Sequence, residues 1–83
     1  MGRINAKIFS IVKGYKELEE CDAIKIVSDK YNLLIMEDYL PVIGEVNGDI
    51  TFVVNGEQQL YKGITGFYRH AHNEFELLIK SDN

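Results

Sequence analysis

Residues 49–56 read Asp49-Ile50-Thr51-Phe52-Val53-Val54-Asn55-Gly56, and this stretch decides the predicted fold. Its first six residues are rich in β-branched and aromatic side chains, which favour a strand. Asn55-Gly56 is a strong signal for a tight hairpin turn. We therefore predict a hairpin with a strand over 49–54, a turn at 55–56 and a second strand over 58–64.

Alternating apolar and polar residues predict further strands on both sides of this hairpin. Near the N-terminus, Ile4, Ala6 and Ile8 alternate with polar residues, and Ile24 and Ile26 flank a lysine in the same way. The last predicted strand has apolar side chains on one face and charged side chains on the other, namely Phe75, Leu77 and Ile79 against Glu74, Glu76 and Lys80. Leu78 interrupts the charged face, which favours an interface or a sheet edge at that position.

Other segments are less decisive. The charged segment from Lys16 to Asp22 fits a helical turn, and Asn47-Gly48 is a second tight-turn signal. The apolar run Leu33-Leu34-Ile35-Met36 fits a buried strand or a buried helix, and its length and the nearby Pro41 favour a strand. Glycines spread along most of the chain indicate short strands with turns between them, and these are Gly14, Gly44, Gly48, Gly56, Gly63 and Gly66.

These patterns predict an all-β fold. We expect one domain over residues 1–83, folded as a two-layer, mainly antiparallel β-sandwich with little or no helix. The predicted core comprises Ile24, Ile26, Ile35, Ile50, Phe52, Phe67, Phe75 and Leu77.

Composition and charge exclude several classes of protein. The formal net charge is −4 and the nine Lys and Arg residues are scattered, which argues against nucleic-acid binding. No run approaches the roughly 20 apolar residues that span a bilayer, and Asn5 and Lys7 interrupt the first apolar stretch, so we expect no signal peptide and a cytoplasmic protein. Cys21 is the single cysteine, next to acidic residues, and we predict a small core residue rather than a reactive thiol.

The sequence offers little chemistry for catalysis. It contains no glycine-rich phosphate loop, no dinucleotide fingerprint and no serine in a nucleophile-elbow context. The acidic pairs Glu19-Glu20 and Glu37-Asp38 are expected to be solvated, whereas acid–base catalysis requires a desolvated cleft. We therefore predict that the chain is not an enzyme, and that it neither binds nor hydrolyses nucleotide on its own.

One group of residues is compatible with a metal site. On an uninterrupted strand His70, His72, Glu74 and Glu76 would project from one face, and imidazoles and carboxylates are zinc ligands. His72-Asn73 has the composition of a turn, however, which would separate the histidines from the glutamates. We favour a solvated row of polar side chains, with His70 and His72 as a weak metal candidate.

Several segments resemble a known family in their order and spacing. They are Glu20-Cys21-Asp22-Ala23-Ile24, Leu33 to Ile43, Gly48-Asp49-Ile50, Gly56 to Tyr61, Gly66-Phe67 and Asn73 to Leu78. Together they resemble the N-terminal β-sandwich of the epsilon subunit of the rotary ATP synthase, and the resemblance spans about three quarters of the chain. The chain departs from the family at Tyr39, which replaces its usual His, at Asp38, which replaces a Gly, and at Thr65, which replaces a glycine of its Ser-Gly-Gly-Phe signature.

The resemblance implies a central-stalk subunit that couples the gamma subunit to the membrane ring, with no catalysis, no cofactor and no direct insertion into the membrane. It implies a ring-facing surface made of Asp29, Lys30, Tyr31, Asn32, Asp38 and Tyr39. It implies a gamma-facing surface at Leu40 and Ile43. Leu78, on the charged face of the last predicted strand, is an additional candidate for this surface. Such a protein would lie at the inner face of the membrane, held there through the synthase.

The family usually adds a C-terminal helical pair that brakes ATP hydrolysis, and the given sequence ends at Asn83. The resemblance therefore predicts either a truncated chain or a divergent subunit without the inhibitory arm. The alternatives are a free-standing β-sandwich that binds another protein partner and, less favoured, a small metal-binding protein.

Overall fold

Seven β-strands and no helix make up residues 3–82, which are the residues that the computed structural model describes. The strands are β1 (Ile4–Ser10), β2 (Gly14–Cys21), β3 (Ala23–Ser28), β4 (Asn32–Ile35), β5 (Val42–Val54), β6 (Glu57–Ala71) and β7 (Glu74–Asp82). They form one sheet in the order β2-β1-β7-β6-β5-β3-β4, in which β1 and β7 are parallel and the other pairs are antiparallel. The prediction of an all-β, mainly antiparallel fold is confirmed.

The sheet folds over onto itself, which creates two layers from one set of hydrogen-bonded strands. Phe52 pairs with Gln59 on β6, whereas Phe75 pairs with His70 on the same strand. On a straight strand those two β6 positions would be about 36 Å apart, at about 3.3 Å per residue. The rings of Phe52 and Phe75 nevertheless lie 5.9 Å apart, so β6 bends and brings the two halves of the sheet face to face.

The bend lies at a bulge in the β5–β6 hairpin. Gly48 pairs with Ile64 and Ile50 pairs with Tyr61, so Asp49 faces an extra residue on β6. Gly63 has a positive φ of 68° there, and its N–H donates to Asp49 Oδ1 at 3.0 Å. A bulge increases the local twist and bends its strand, and glycine adopts a positive φ without a steric penalty.

The prediction of a tight turn at Asn47-Gly48 is wrong, because both residues lie inside β5. The glycine serves close packing instead of a turn. A Cβ atom at position 48 would collide with the carbonyl oxygen of Val27 on β3. The predicted hairpin is confirmed at Asn55-Gly56, although its two strands extend well beyond residues 49–64.

The ambiguous segments are all extended. Residues 14–21, which include most of the segment that fitted a helical turn, form β2, and residues 32–35 form β4. Tertiary pairing with β1 thus overrides the helix propensity of the glutamates in β2. Residues 3–82 contain no helix that is long and apolar enough to cross a membrane.

The core lies between the two halves of the sheet. Seven of the eight predicted core residues are fully buried, and Cys21 is also buried, as predicted. Phe67 is the exception, because 42% of its surface is exposed. It follows Gly66 and precedes the buried Tyr68, so the period of two along β6 directs its side chain to the outer face of the sheet.

The two phenylalanines on β6 and β7 provide a matched test of the core. Phe75 is fully buried against Phe52, Tyr68 and His70. We expect Phe75→Ala to lower the free energy of unfolding by about 3–5 kcal/mol, through lost burial and a cavity. Phe67→Ala should lower the free energy of unfolding by less than about 1 kcal/mol, as expected for a surface position. Urea denaturation followed by circular dichroism measures both, and equal losses would contradict this assignment of faces.

Candidate protein-binding surface

An apolar row crosses the outer face of the sheet at right angles to four adjacent strands. In register, Tyr15 on β2 faces Phe9 on β1, Phe9 faces Leu78 on β7, and Leu78 faces Phe67 on β6. Each of these four side chains, here called the outer stripe, is 42–53% exposed. Directly opposed residues share a face, so the outer stripe is continuous across the strands.

Ile43 on β5 extends the outer stripe into a groove of about 310 Å³, which is lined mainly by Phe9, Ile43, Phe67 and Leu78. Charged side chains surround it. Arg69 Nη2 and Glu76 Oε1 form an ion pair at 2.7 Å, and Lys80 Nζ lies 5.0 Å from the centre of the Phe67 ring. An apolar centre with a charged rim is the arrangement found at protein–protein interfaces.

The outer stripe arises where β1, β6 and β7 each carry adjacent apolar residues, one on each face of the sheet. Ile8, Tyr68, Leu77 and Ile79 point into the core, while their sequence neighbours Phe9, Phe67 and Leu78 point outwards. Sequence reasoning identified Leu78 as a candidate and missed Phe9, Tyr15 and Phe67. The available signal was the pairing of adjacent apolar residues, such as Ile8-Phe9 and Phe67-Tyr68, within strands that otherwise alternate.

The gamma-facing candidates are strongly exposed. Leu40 is 77% exposed, beside Pro41 in the loop between β4 and β5, and Ile43 is 78% exposed on β5. Ile43 faces Arg69 in the register and lies in the same groove as Leu78. The structure therefore places two of these three apolar residues, Ile43 and Leu78, on one surface.

Five of the six ring-facing candidates lie in two loops, residues 29–31 and 36–41, on either side of β4, and the sixth, Asn32, is the first residue of β4. The first loop is fastened by Tyr31, whose hydroxyl donates to the Glu45 carbonyl oxygen and lies 2.8 Å from the Tyr68 hydroxyl. Burial raises the pKa of the Tyr68 phenol, and the hydrogen bond to Tyr31 raises it further by a smaller amount. Asp29 N–H donates to the Asn47 carbonyl oxygen at 3.0 Å, while Lys30 and Asn32 are exposed.

The second loop is fastened to the turn between β6 and β7. The backbone N–H of Asp38 donates to Asn73 Oδ1 at 2.7 Å, and Asn73 Nδ2 donates to Asp38 Oδ1 at 3.1 Å. The Tyr39 ring packs edge-on to His70, with centroids 6.4 Å apart. Tyr39 also raises the pKa of Tyr68 electrostatically, as Tyr31 does, so Tyr31 and Tyr39 both lie close to this buried phenol.

The structure does not bring the residues of the metal candidate together on one strand. β6 ends at Ala71 and β7 begins at Glu74, so the predicted turn at His72-Asn73 separates the histidines from the glutamates, and both turn residues have positive φ. His70 is 1% exposed, and within residues 3–82 neither of its ring nitrogens has a hydrogen-bond partner. The same residues contain no group of three or more His, Cys, Asp or Glu side chains placed to hold a metal ion.

Comparison with known proteins identifies the fold. No family model matches the sequence, and no curated protein matches it. Among solved structures, a chain in the mitochondrial ATP synthase of Euglena gracilis, in an assembly of OSCP, F1 and c-ring, superposes on 100% of this chain with a TM-score of 0.85 and 13% identity. A chain of the central stalk and c-ring of the Tetrahymena thermophila enzyme covers 95% with a TM-score of 0.74 and 15% identity.

The fold is shared with chains of mitochondrial ATP synthases. At 13% and 15% identity, the likeness establishes the architecture and nothing finer. The match covers 54% of the Euglena chain and 64% of the Tetrahymena chain, so this chain spans about half to two thirds of their length.

Tyr31 and Tyr39 allow a matched test of the loop anchors. Tyr31→Phe removes the hydroxyl that contacts both the Glu45 carbonyl and the buried Tyr68 hydroxyl. We expect a loss of about 1–3 kcal/mol in the free energy of unfolding, because a buried polar group loses its partner. Tyr39→Phe should change it by less than about 0.5 kcal/mol, since the ring contact with His70 is retained. Thermal and urea unfolding measure both variants, and equal stability of the two would refute the anchoring role of Tyr31.

His70 predicts a dependence of stability on pH. Burial lowers the pKa of the imidazole below its ordinary value of 6.5. As the pH falls, the unfolded chain therefore binds a proton on this histidine before the folded chain does. The contribution of neutral His70 to the free energy of unfolding is complete above about pH 6.5 and decreases as the pH falls towards the folded-state pKa. Between pH 7 and pH 5, His70→Leu should flatten the fall in the free energy of unfolding. His72→Gln, which removes the exposed imidazole of the turn, should leave the profile as in the unmodified chain, and an unchanged profile for His70→Leu would show that His70 does not contribute.

Proposed function

We propose that the chain is a central-stalk component of a rotary ATP synthase, similar to the epsilon subunit, which joins the gamma subunit to the membrane ring. The observation that carries the proposal is the superposition of the whole chain on an ATP synthase chain with a TM-score of 0.85. The sequence resemblance to the epsilon sandwich points to the same complex from the order of residues along the chain. Its role is mechanical and requires no catalytic group and no cofactor.

The outer stripe and the exposed residues Leu40 and Ile43 form the proposed contact with gamma. A standard interface buries about 800 Å² on each partner, which is roughly 15% of the 5225 Å² surface of this chain. An exposed apolar surface of this kind favours association, because binding removes it from water. The Arg69–Glu76 pair and Lys80 at the rim supply polar contacts around the apolar centre.

The loops on either side of β4, together with Asn32 at the start of β4, form the proposed contact with the membrane ring, through Asp29, Lys30, Tyr31, Asn32, Asp38 and Tyr39. The loops are held by hydrogen bonds from the Tyr31 side chain to Glu45 and from loop backbone N–H groups to Asn47 and Asn73. Loops that are already ordered lose less conformational entropy on binding. The tyrosines offer an aromatic body with a polar tip, a combination that is enriched at interfaces.

The titratable groups with shifted pKa support a role without catalysis. Burial, which is the larger cause, and the charge of Asp22 together raise the pKa of the Cys21 thiol to about 11. The thiol is therefore protonated at neutral pH. His70 is buried among aromatic rings, and neither ring nitrogen has a polar partner within residues 3–82. Catalysis requires titratable groups that converge on a cleft, and these two groups lie inside the core. We propose that the chain neither binds nor hydrolyses nucleotide on its own.

Binding assays with the two partners test the proposal. Immobilised full-length chain is mixed separately with purified gamma subunit and with detergent-solubilised membrane ring from the same cell. We expect Ile43→Glu to weaken gamma binding at least tenfold and to leave ring binding unchanged. Tyr39→Ala combined with Lys30→Glu should do the reverse, so each variant is the control for the other.

The outcomes separate the candidate functions. Loss of both gamma binding and ring binding in both variants would indicate unfolding, which circular dichroism of the variants detects. No binding of the unmodified chain to either partner would overturn the stalk assignment. The free-standing protein-binding sandwich would then be the better interpretation, because the outer stripe would still require a partner.

A further inference from the structure

β4 is an edge of the sheet, and within residues 3–82 it pairs only with β3. The turn before it shows which backbone groups face outwards. Ser28 N–H donates to the Tyr31 carbonyl oxygen at 2.8 Å, so these residues form a hydrogen-bonded pair. Such pairs alternate with non-bonded pairs along an antiparallel ladder. Val27–Asn32 and Lys25–Leu34 are therefore non-bonded pairs, and the N–H and C=O groups of Asn32 and Leu34 point away from β3.

The two edges of the sheet differ in their protection against pairing. β2, at the other edge, carries four charged residues among eight, namely Lys16, Glu17, Glu19 and Glu20. Charged side chains are a common device that keeps an edge from pairing with other strands. β4 reads Asn-Leu-Leu-Ile and contains neither a charge nor a proline. It is the edge of this sheet that is open to an added strand.

The surroundings of β4 indicate the chemistry of that strand. A groove of about 310 Å³ lies along β3 and β4, with Val27 and Leu34 among its lining residues. Lys25 faces Leu34 in the register and Lys30 lies in the turn before β4. Neither lysine has a carboxylate within salt-bridge distance in residues 3–82. Because neither lysine is held in a salt bridge, both are available to the carboxylates of a partner that is apolar in the middle and acidic at its ends.

We propose that β4 binds an extended acidic and apolar segment of a partner protein, which adds a strand to this edge. The main-chain groups of Asn32 and Leu34 hold the segment, the groove takes an apolar side chain, and Lys25 and Lys30 contact its carboxylates. A second copy of this chain is disfavoured as the occupant, because its β4 contains no carboxylate that could pair with Lys25. The site is separate from the outer stripe, shares Lys30 and Asn32 with the proposed ring-facing surface, and does not depend on the stalk assignment.

Two synthetic peptides probe the edge of the full chain. Both are acetylated and amidated, with the sequences Glu-Thr-Val-Thr-Val-Glu and Lys-Thr-Val-Thr-Val-Lys. By NMR titration, we expect the acidic peptide to bind at least tenfold more tightly, and the largest amide shifts to fall on Asn32 and Leu34. Hydrogen exchange of those two amides should slow at least tenfold. An acidic peptide with N-methyl groups on its backbone should not bind.

Variants of one edge residue separate the main chain from the side chain. Leu34→Pro removes an N–H that faces the free edge and should abolish peptide binding, whereas Leu34→Ala retains that N–H and should weaken binding only a few-fold. Lys25→Glu with Lys30→Glu should reverse the preference between the two peptides. If Leu34→Pro fails to fold, the N-methylated peptide provides the same test on the unmodified chain.

Several results would overturn the proposal. They are equal binding of the N-methylated and unmodified peptides, shifts that map to the outer stripe, and no binding of the acidic peptide up to millimolar concentration. A concentration-dependent dimer in sedimentation that Leu34→Ala retains and Leu34→Pro loses would assign the edge to a second copy instead.

Discussion

The bend in the β5–β6 hairpin is the constraint on which the rest of the molecule depends. Straight strands of 13 and 15 residues would be about 43 and 50 Å long, yet the longest dimension of the molecule is 34 Å. The extra residue opposite Asp49, with Gly63 in a positive φ conformation, lets the hairpin turn from one layer into the other. The contact between Phe52 and Phe75, and the core around it, exists because of that bend.

Because the hairpin belongs to both layers, its two halves have different neighbours. The second half of β6 pairs with β7 and supplies Phe67 to the outer stripe, while the second half of β5 pairs with β3 and leads to the edge at β4. The candidate surfaces are thus consequences of one folded sheet. Each has a physical cost in the free chain, exposed apolar area in one case and unpaired backbone groups in the other, and a partner would remove that cost.

The aromatic and polar residues near the loops show how this small protein holds its irregular segments. Tyr31 reaches a backbone carbonyl and the buried hydroxyl of Tyr68, while Tyr39 covers His70. Both loops are therefore attached to the sheet by side chains, in addition to the strands that precede and follow them. Since burial raises the pKa of Tyr68 and lowers the pKa of His70, both groups are uncharged in the folded protein near neutral pH.

Local pattern was sufficient for the class of the fold and for most of the core. The alternation of Phe75, Leu77 and Ile79 places these three side chains on one face wherever the strand lies, and Asn55-Gly56 specifies a turn from its own backbone preferences. Phe67 and Asn47-Gly48 were misassigned because their environment comes from distant segments. Phe67 lies outside because its apolar neighbour Tyr68 takes the core-facing position against Phe75, and Gly48 lies in a strand because Val27 packs against its backbone. The bend, the outer stripe and the open edge at β4 likewise depend on which strands pair, and pairing joins residues that the order of the chain keeps far apart.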